Sequence, residues 1–289
     1  MKDMLKNKEN QITIGVFDSG FGGLTVLNEL VSQMPQLNYL YLGDNNRAPY
    51  GVRSKQDLDR IGDQLIRFLL GKGVNALVIA CNTITTCSLD NLIERYPEVP
   101  MVGTIAPAIK ELDRVLRSLP DKSSSASVPT ALGLIATPAT IKSGAFQAAL
   151  KKNFPSLRLH FLATPALAPL VESGKIGSDF AQKIVDEELA VLKKERLDLL
   201  LLACTHYPLI SKEIHQALGN NLQLINPAKS ILPALEEGLH FDASGLDKSS
   251  QGKITIYTTG LVDAYHDLLA KGQLPAIQNY TIEEISLPD

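Results

Sequence analysis

LDLLLLACTHYPL, residues 197–209, holds an unbroken apolar run, Leu199–Ala203, followed at once by a cysteine, a threonine and a histidine. An apolar run this short, with no polar face, reads as a parallel strand buried on both sides. ALVIACNT, residues 76–83, has the same form: an apolar run, then Cys81, then small amide and hydroxyl residues. Ligands of open α/β sheets bind at the carboxyl ends of the strands. Cys81 and Cys204 are therefore expected at equivalent mouths of two sheets.

Working outward, residues 12–17, 37–42 and 101–105 read as further strands of the first half. Residues 23–34, 54–70 and 109–119 read as helices. In the second half, residues 132–136, 157–162 and 222–225 read as strands, with helices at 141–153 and 178–194. Strand–helix alternation of this kind points to βαβ units and parallel sheets. The halves also match residue for residue. At an offset of 120, Pro35, Leu37 and Leu42 meet Pro155, Leu157 and Leu162, and Ile105, Pro107 and Ala108 meet Ile225, Pro227 and Ala228. At an offset of 123, Leu77, Ala80 and Cys81 meet Leu200, Ala203 and Cys204. The expected fold is α/β, with two similar pseudo-symmetric domains, each a mainly parallel sheet flanked by helices. The site then lies in the cleft between them, with one thiol on each wall.

The polar, serine-rich segment 119–130, bracketed by prolines, is the expected linker. Residues 231–239, 253–257 and 262–271 read as a helix, a strand and a helix with no counterpart in the repeat, returning to complete the first domain. That assigns 12–105 plus 228–289 to the first domain and 106–227 to the second, with 1–11 as a disordered tail.

Composition narrows the function classes. The 289 residues are 45% apolar and 20% charged, which suits a packed globular chain rather than a disordered one. A net charge of −3 lacks the basic footprint of a nucleic-acid binder. Three cysteines make no disulfide framework, so a reducing compartment is expected. The polar start has no apolar core of a signal peptide, and no apolar run is long enough to span a bilayer. A cytoplasmic protein is the expectation.

Two thiols facing each other suit one kind of chemistry. A substrate held between two acid–base groups loses a proton on one face and gains one on the other, which inverts a stereocentre. A lone cysteine is ordinarily a small buried hydrophobe, and Cys87, on the helix after its strand, takes that reading. Asp18, Ser19, Gly20, Gly22 and Gly23 follow the first strand and form a tight turn able to hold an anion. There Asp18 serves as a cap or assists Cys81. Thr140, in the equivalent turn of the second half, is an N-cap or an oxygen ligand. Arg47-Ala48-Pro49-Tyr50-Gly51 forms a rigid loop with Asp44 nearby. His206, two residues beyond Cys204, shares its face if the backbone stays extended. Glu172, on a helix, is by default a solvated carboxylate. No C-x-x-C or H-x-x-x-H spacing supports a metal site, and no phosphate-loop motif supports a nucleotide.

Together GVFDSGFGGLTVL (15–27), GDNNRAPYG (43–51), ACNTIT (80–85), ATPATIKSGAF (136–146) and LLACTHYPL (201–209) resemble the bacterial glutamate racemases. The CTHYP element distinguishes that group from the related aspartate racemases. The resemblance implies a cofactor-independent isomerase that supplies D-glutamate for peptidoglycan synthesis. It implies that Cys81 is the base acting on D-glutamate, supported by Asp18, and that Cys204 is the base acting on L-glutamate, supported by His206 and Glu172. Asp18, Ser19, Tyr50, Gly51, Asn82, Thr83, Thr140, Thr205 and His206 match substrate contacts of the family. A homodimer with glutamate as substrate and no membrane partner is implied. DNA gyrase and a peptidoglycan-precursor activator, partners proposed for some members, find no support in the residues. Departures from the family pattern fall at Asn45, often Thr, and at Ala106, Thr164 and Asn226. A related aspartate or hydantoin racemase, and a non-catalytic binding protein on the same fold, are the competing readings.

Overall fold

The computed structural model describes residues 12–119, 130–239 and 250–288. The stretch 1–11 and residues 120–129 of the expected linker lie outside the described residues. Among the described residues ten strands form two sheets, parallel throughout. The first holds β1 (Thr13–Asp18), β2 (Asn38–Gly43), β3 (Ala76–Ile79), β4 (Met101–Val102), β9 (Ile254–Thr258) and β10 (Tyr280–Glu284). The second holds β5 (Ala131–Ala136), β6 (Arg158–Ala163), β7 (Leu199–Ala203) and β8 (Gln223–Ile225). The spatial order β2-β1-β3-β4 recurs as β6-β5-β7-β8, and β9 and β10 extend the first sheet beyond β2.

The repeat reaches into the packing. Gly15 pairs with Leu77 across β1 and β3, and Gly133 pairs with Leu200 across β5 and β7. A Cβ on Gly15 would sit 2.8 Å from Leu77 Cδ2, and one on Gly133 would sit 2.9 Å from Leu200 Cδ1. Both glycines make room for the leucine beside them in a core packed without slack. Gly15→Ala is expected to destabilise the fold by about 1–3 kcal/mol through overpacking. Urea unfolding should show a lower midpoint at unchanged slope; a wild-type midpoint would mean that Leu77, Val74 and Leu69 yield freely.

Helices cover the sheets: α1 (Leu24–Gln33), α2 (Lys55–Gly71), α3 (Asn82–Arg95), α4 (Ile105–Ser118), α5 (Pro138–Ser143), α6 (Ala145–Asn153), α7 (Leu167–Glu172), α8 (Asp179–Leu189), α9 (Ser211–Leu218), α10 (Ile231–Leu239) and α11 (Val262–Ala270). Strand alternation sorts the side chains into layers. In β3, Leu77 and Ile79 face a core with Leu58, Ile61 and Leu65 of α2. In β7, Leu199 and Leu201 face a core with Leu112 of α4 and Phe146 of α6. The opposite faces of both strands, Ala76 and Val78 of β3 and Leu200 and Leu202 of β7, belong to one shared core that runs across both halves. No helix among the described residues is long and apolar enough to cross a membrane.

Several boundaries differ from the sequence reading. The expected strand 101–105 stops at Val102 and α4 begins at Ile105, because Pro107 fits the first turn of a helix, where its missing N–H costs nothing. The expected helix 141–153 is two, α5 and α6, broken at Gly144 with φ 72°. The expected helix 178–194 ends at Leu189, before a 3₁₀ turn at Leu192–Lys194. Strand β10, with mostly exposed or half-buried residues at the sheet edge, is absent from the sequence reading, since it carries no apolar run.

Candidate active site

Strand β3 ends two residues before Cys81, which takes the N-cap position of α3 with φ −63° and ψ 113°. Its thiol is buried. Burial pushes that thiol well up, and the negative charges of Asp18 and Cys204 add to the effect; the backbone N–H groups of Ile84 and Thr83 oppose it.

On the opposite wall, Cys204 follows β7 directly. His206 Nδ1 lies 3.5 Å from its sulfur, and His206 Nε2 lies 2.6 Å from Glu172 Oε1. The contact is not the extended i, i+2 pairing expected from sequence: the chain turns after Ala203, and His206 itself has φ −75° and ψ −29°. The turn folds the ring back onto the sulfur. Burial disfavours charge on His206, but Cys204 and Glu172 on either side outweigh it and hold the imidazole well above its usual range. Glu172, the last residue of α7, is not the solvated carboxylate that its helix position alone suggests but lies against His206, as the family resemblance implies; its side chain is 24% exposed and accepts from the Phe21 N–H at 3.1 Å.

Asp18 joins the walls. Its Oδ2 accepts from the Gly23 N–H at 2.7 Å and from the Thr205 hydroxyl at 3.1 Å. Asp18 thus braces the turn, while Gly23 occupies the N-cap of α1. Oδ1 is buried without a hydrogen-bond partner. Burial raises the Asp18 pKa, partly offset by His206. Thr25 Oγ1 donates to the Thr205 carbonyl at 2.9 Å, a second bond between the halves.

Near Cys81 the halves meet through hydroxyls. Thr83 Oγ1 lies 3.0 Å from Thr137 Oγ1 and 3.5 Å from Thr140 Oγ1. Thr140 is not the N-cap of α5; Thr137 is, accepting from the Thr140 N–H at 3.3 Å. Asn82 Oδ1 accepts from Thr104 at 2.7 Å. Gly51 packs against Thr137. The Tyr50 hydroxyl donates to buried Asp44, which also pairs with Arg47, so the phenol braces its own loop. Ser19 is buried in the turn beside Asp18. Cys87 is half-buried and packs with the α2–α3 core.

A buried thiol, a second buried thiol backed by a buried imidazole and a half-buried carboxylate, and a cluster of threonine hydroxyls thus converge where two like sheets meet. The family model for Asp/Glu/Hydantoin racemase matches residues 14–235, most of the chain, with Asp18, Cys81, Glu172, Cys204 and His206 all inside the match. The chain belongs to this racemase family.

Among relatives within the family, the glutamate racemase of Enterococcus faecalis is 34% identical over 96% of this chain and 97% of its own length. The glutamate racemase of Aquifex aeolicus is 38% identical over 80% of this chain and 85% of its own length. The solved glutamate racemase isoform RacE1 of Bacillus anthracis superposes with a TM-score of 0.80 at 32% identity, over 96% of this chain and 98% of that one. The enzyme of Francisella tularensis, solved in complex with D-glutamate, gives 0.79 at 28% identity over the same shares. The aspartate racemase of Picrophilus torridus, at 16% identity and a TM-score of 0.51, shares the fold alone.

Four residues escaped the sequence reading of the site: Phe21, whose N–H holds Glu172; Asn45, whose amide reaches the same carboxylate; Thr104 on Asn82; and Tyr265 on Asn45. Phe21 and Asn45 lie in the quoted motifs, and Asn45 departs from the family pattern, but no local pattern says what either binds; Thr104 and Tyr265 carry no signal at all. Thr137 was visible as part of the ATPAT turn, and its hydroxyl pattern was the available clue.

Proposed function

We propose that this racemase interconverts L- and D-glutamate by a two-thiol mechanism, with residues 12–105 and 228–289 forming one wall and residues 106–227 the other. The observation that carries the reading is the pair of buried thiols at equivalent strand ends, Cys204 backed by His206 and Glu172. The substrate follows from glutamate racemases matched over nearly the whole chain. D-glutamate made this way would feed peptidoglycan synthesis.

Cys204, as thiolate, takes the Cα proton of L-glutamate; the electron pair left on Cα then takes a proton from the Cys81 thiol on the other face. The reverse reaction exchanges the roles. A positively charged imidazole against the Cys204 sulfur is the partner a thiolate needs, and Glu172 keeps that ring charged. Cys81, held up by burial, suits the donor role in the first direction. Asp18 supports Cys81. Ser19, Tyr50, Gly51, Asn82, Thr83, Thr140 and Thr205, with Asp18 and His206, bound the space for the amino acid.

Because the proton removed and the proton delivered belong to different thiols, product should carry solvent hydrogen at Cα. Incubation of L-glutamate with purified protein in heavy water, without added cofactor, should give D-glutamate with deuterium at Cα, followed by circular dichroism and mass spectrometry. Product retaining its original hydrogen would indicate one shuttling base. Racemisation of aspartate in place of glutamate would reverse the substrate assignment.

A further inference from the structure

Glu172 has two carboxylate oxygens, and they do different things. Oε1 faces His206 Nε2 and the Phe21 N–H. Oε2 accepts from Asn45 Nδ2 at 3.2 Å. The amide orientation follows from its neighbours. Asn45 Oδ1 accepts from Tyr265 at 2.7 Å and from Thr258 at 3.2 Å, so its NH₂ is left for Glu172, which only accepts. Tyr265 is fully buried, its ring packed edge-on against Phe21 and Tyr41 at 6.0 and 6.4 Å. The chain Tyr265–Asn45–Glu172–His206–Cys204 thus links β9 and α11, outside the internal repeat, to one thiol alone. Cys81 has no comparable chain among the described residues.

We infer that Asn45 is a positioning residue for the Cys204 half of the reaction, fixing the Glu172 carboxylate in line with His206. The inference rests on the roles proposed above for Cys204, His206 and Glu172. Without the amide, Glu172 keeps the Phe21 N–H and His206 itself, both on Oε1, and nothing holds Oε2, so the carboxylate can turn about that oxygen and lose its alignment with the ring. The loss should fall on proton abstraction from L-substrates and spare abstraction from D-substrates.

The L and D forms of 3-chloroglutamate read each abstraction separately. Removal of the Cα proton and loss of chloride from Cβ give an enamine, which takes up water to form 2-oxoglutarate and ammonium. Asn45→Ala should lower kcat for elimination from the L form about tenfold, the scale of one lost hydrogen bond to a charged group. KM should stay near wild type, and the D form should change less than twofold. Tyr265→Phe should act in the same direction and more weakly, and it carries the test if Asn45→Ala does not fold. Equal losses on both enantiomers, a loss confined to the D form, or no loss at all would overturn the inference while leaving the two-thiol reading in place. A wild-type chain inert on both enantiomers would overturn that reading itself, and this inference with it.

Discussion

Cys81→Ser and Cys204→Ser should each lower glutamate racemisation in both directions by about 10²–10⁴-fold, the usual worth of a positioned acid–base group. Inversion needs a base on one face and an acid on the other, and a serine hydroxyl is far too weak an acid to do either task near neutral pH. Elimination of chloride from 3-chloroglutamate needs abstraction only. Each variant should therefore keep elimination from one enantiomer through its remaining thiol and lose it from the other. Cys81→Ser should act on the L form, where Cys204 is the base, and Cys204→Ser on the D form. The two thiols are buried at the ends of different strands, so neither can stand in for the other by moving across the cleft. The two-base reading fails if either variant racemises glutamate near the wild-type rate, or if both lose both eliminations alike.

Gly22→Ala should have the next largest effect. A Cβ on Gly22 would lie 2.6 Å from His206 Cε1 and Nδ1. The atoms it meets belong to a rigid ring already held between Cys204 and Glu172, so the ring cannot swing aside as a flexible chain end would. Either the turn of residues 18–23 lifts from the opposite wall, or the ring leaves the sulfur. Both displace the Cys204 base by an ångström or so, and such misplacement costs about 10²-fold in rate. Circular dichroism should report a folded protein, because the added Cβ meets the His206 ring and not an apolar core side chain. Wild-type turnover in folded Gly22→Ala would mean that the turn does not press on His206.

The neighbouring contacts explain why this turn should tolerate little change. Asp18, Phe21 and Gly23 each spend a polar group on holding it or the opposite wall. The same residues would be unremarkable in an isolated half: a strand, a glycine turn, a helix. Their role comes from Thr205, Glu172 and His206, which lie more than 150 residues away in the chain.

The amino-acid sequence by itself determined the two parallel sheets, their repeat and the placement of Cys81 and Cys204 at matching strand ends. Those features are written in local patterns: apolar runs of strand length, a period that alternates with helices, and a cysteine directly after each run. The motifs also carried the family. Only the tertiary structure decided what each thiol touches. Glu172 looked like a surface carboxylate because nothing within one helix turn of it binds; its partners, Phe21, Asn45 and His206, come from three other segments. The break at Gly144 and the edge strand β10 were likewise hidden, the first because a continuous apolar period masks a single left-handed residue, the second because an edge strand needs no buried run. Hydrophobic periodicity reports the environment of a residue within its own element. Hydrogen bonds between elements far apart in the chain depend on how two packed halves come together, and no local pattern encodes that.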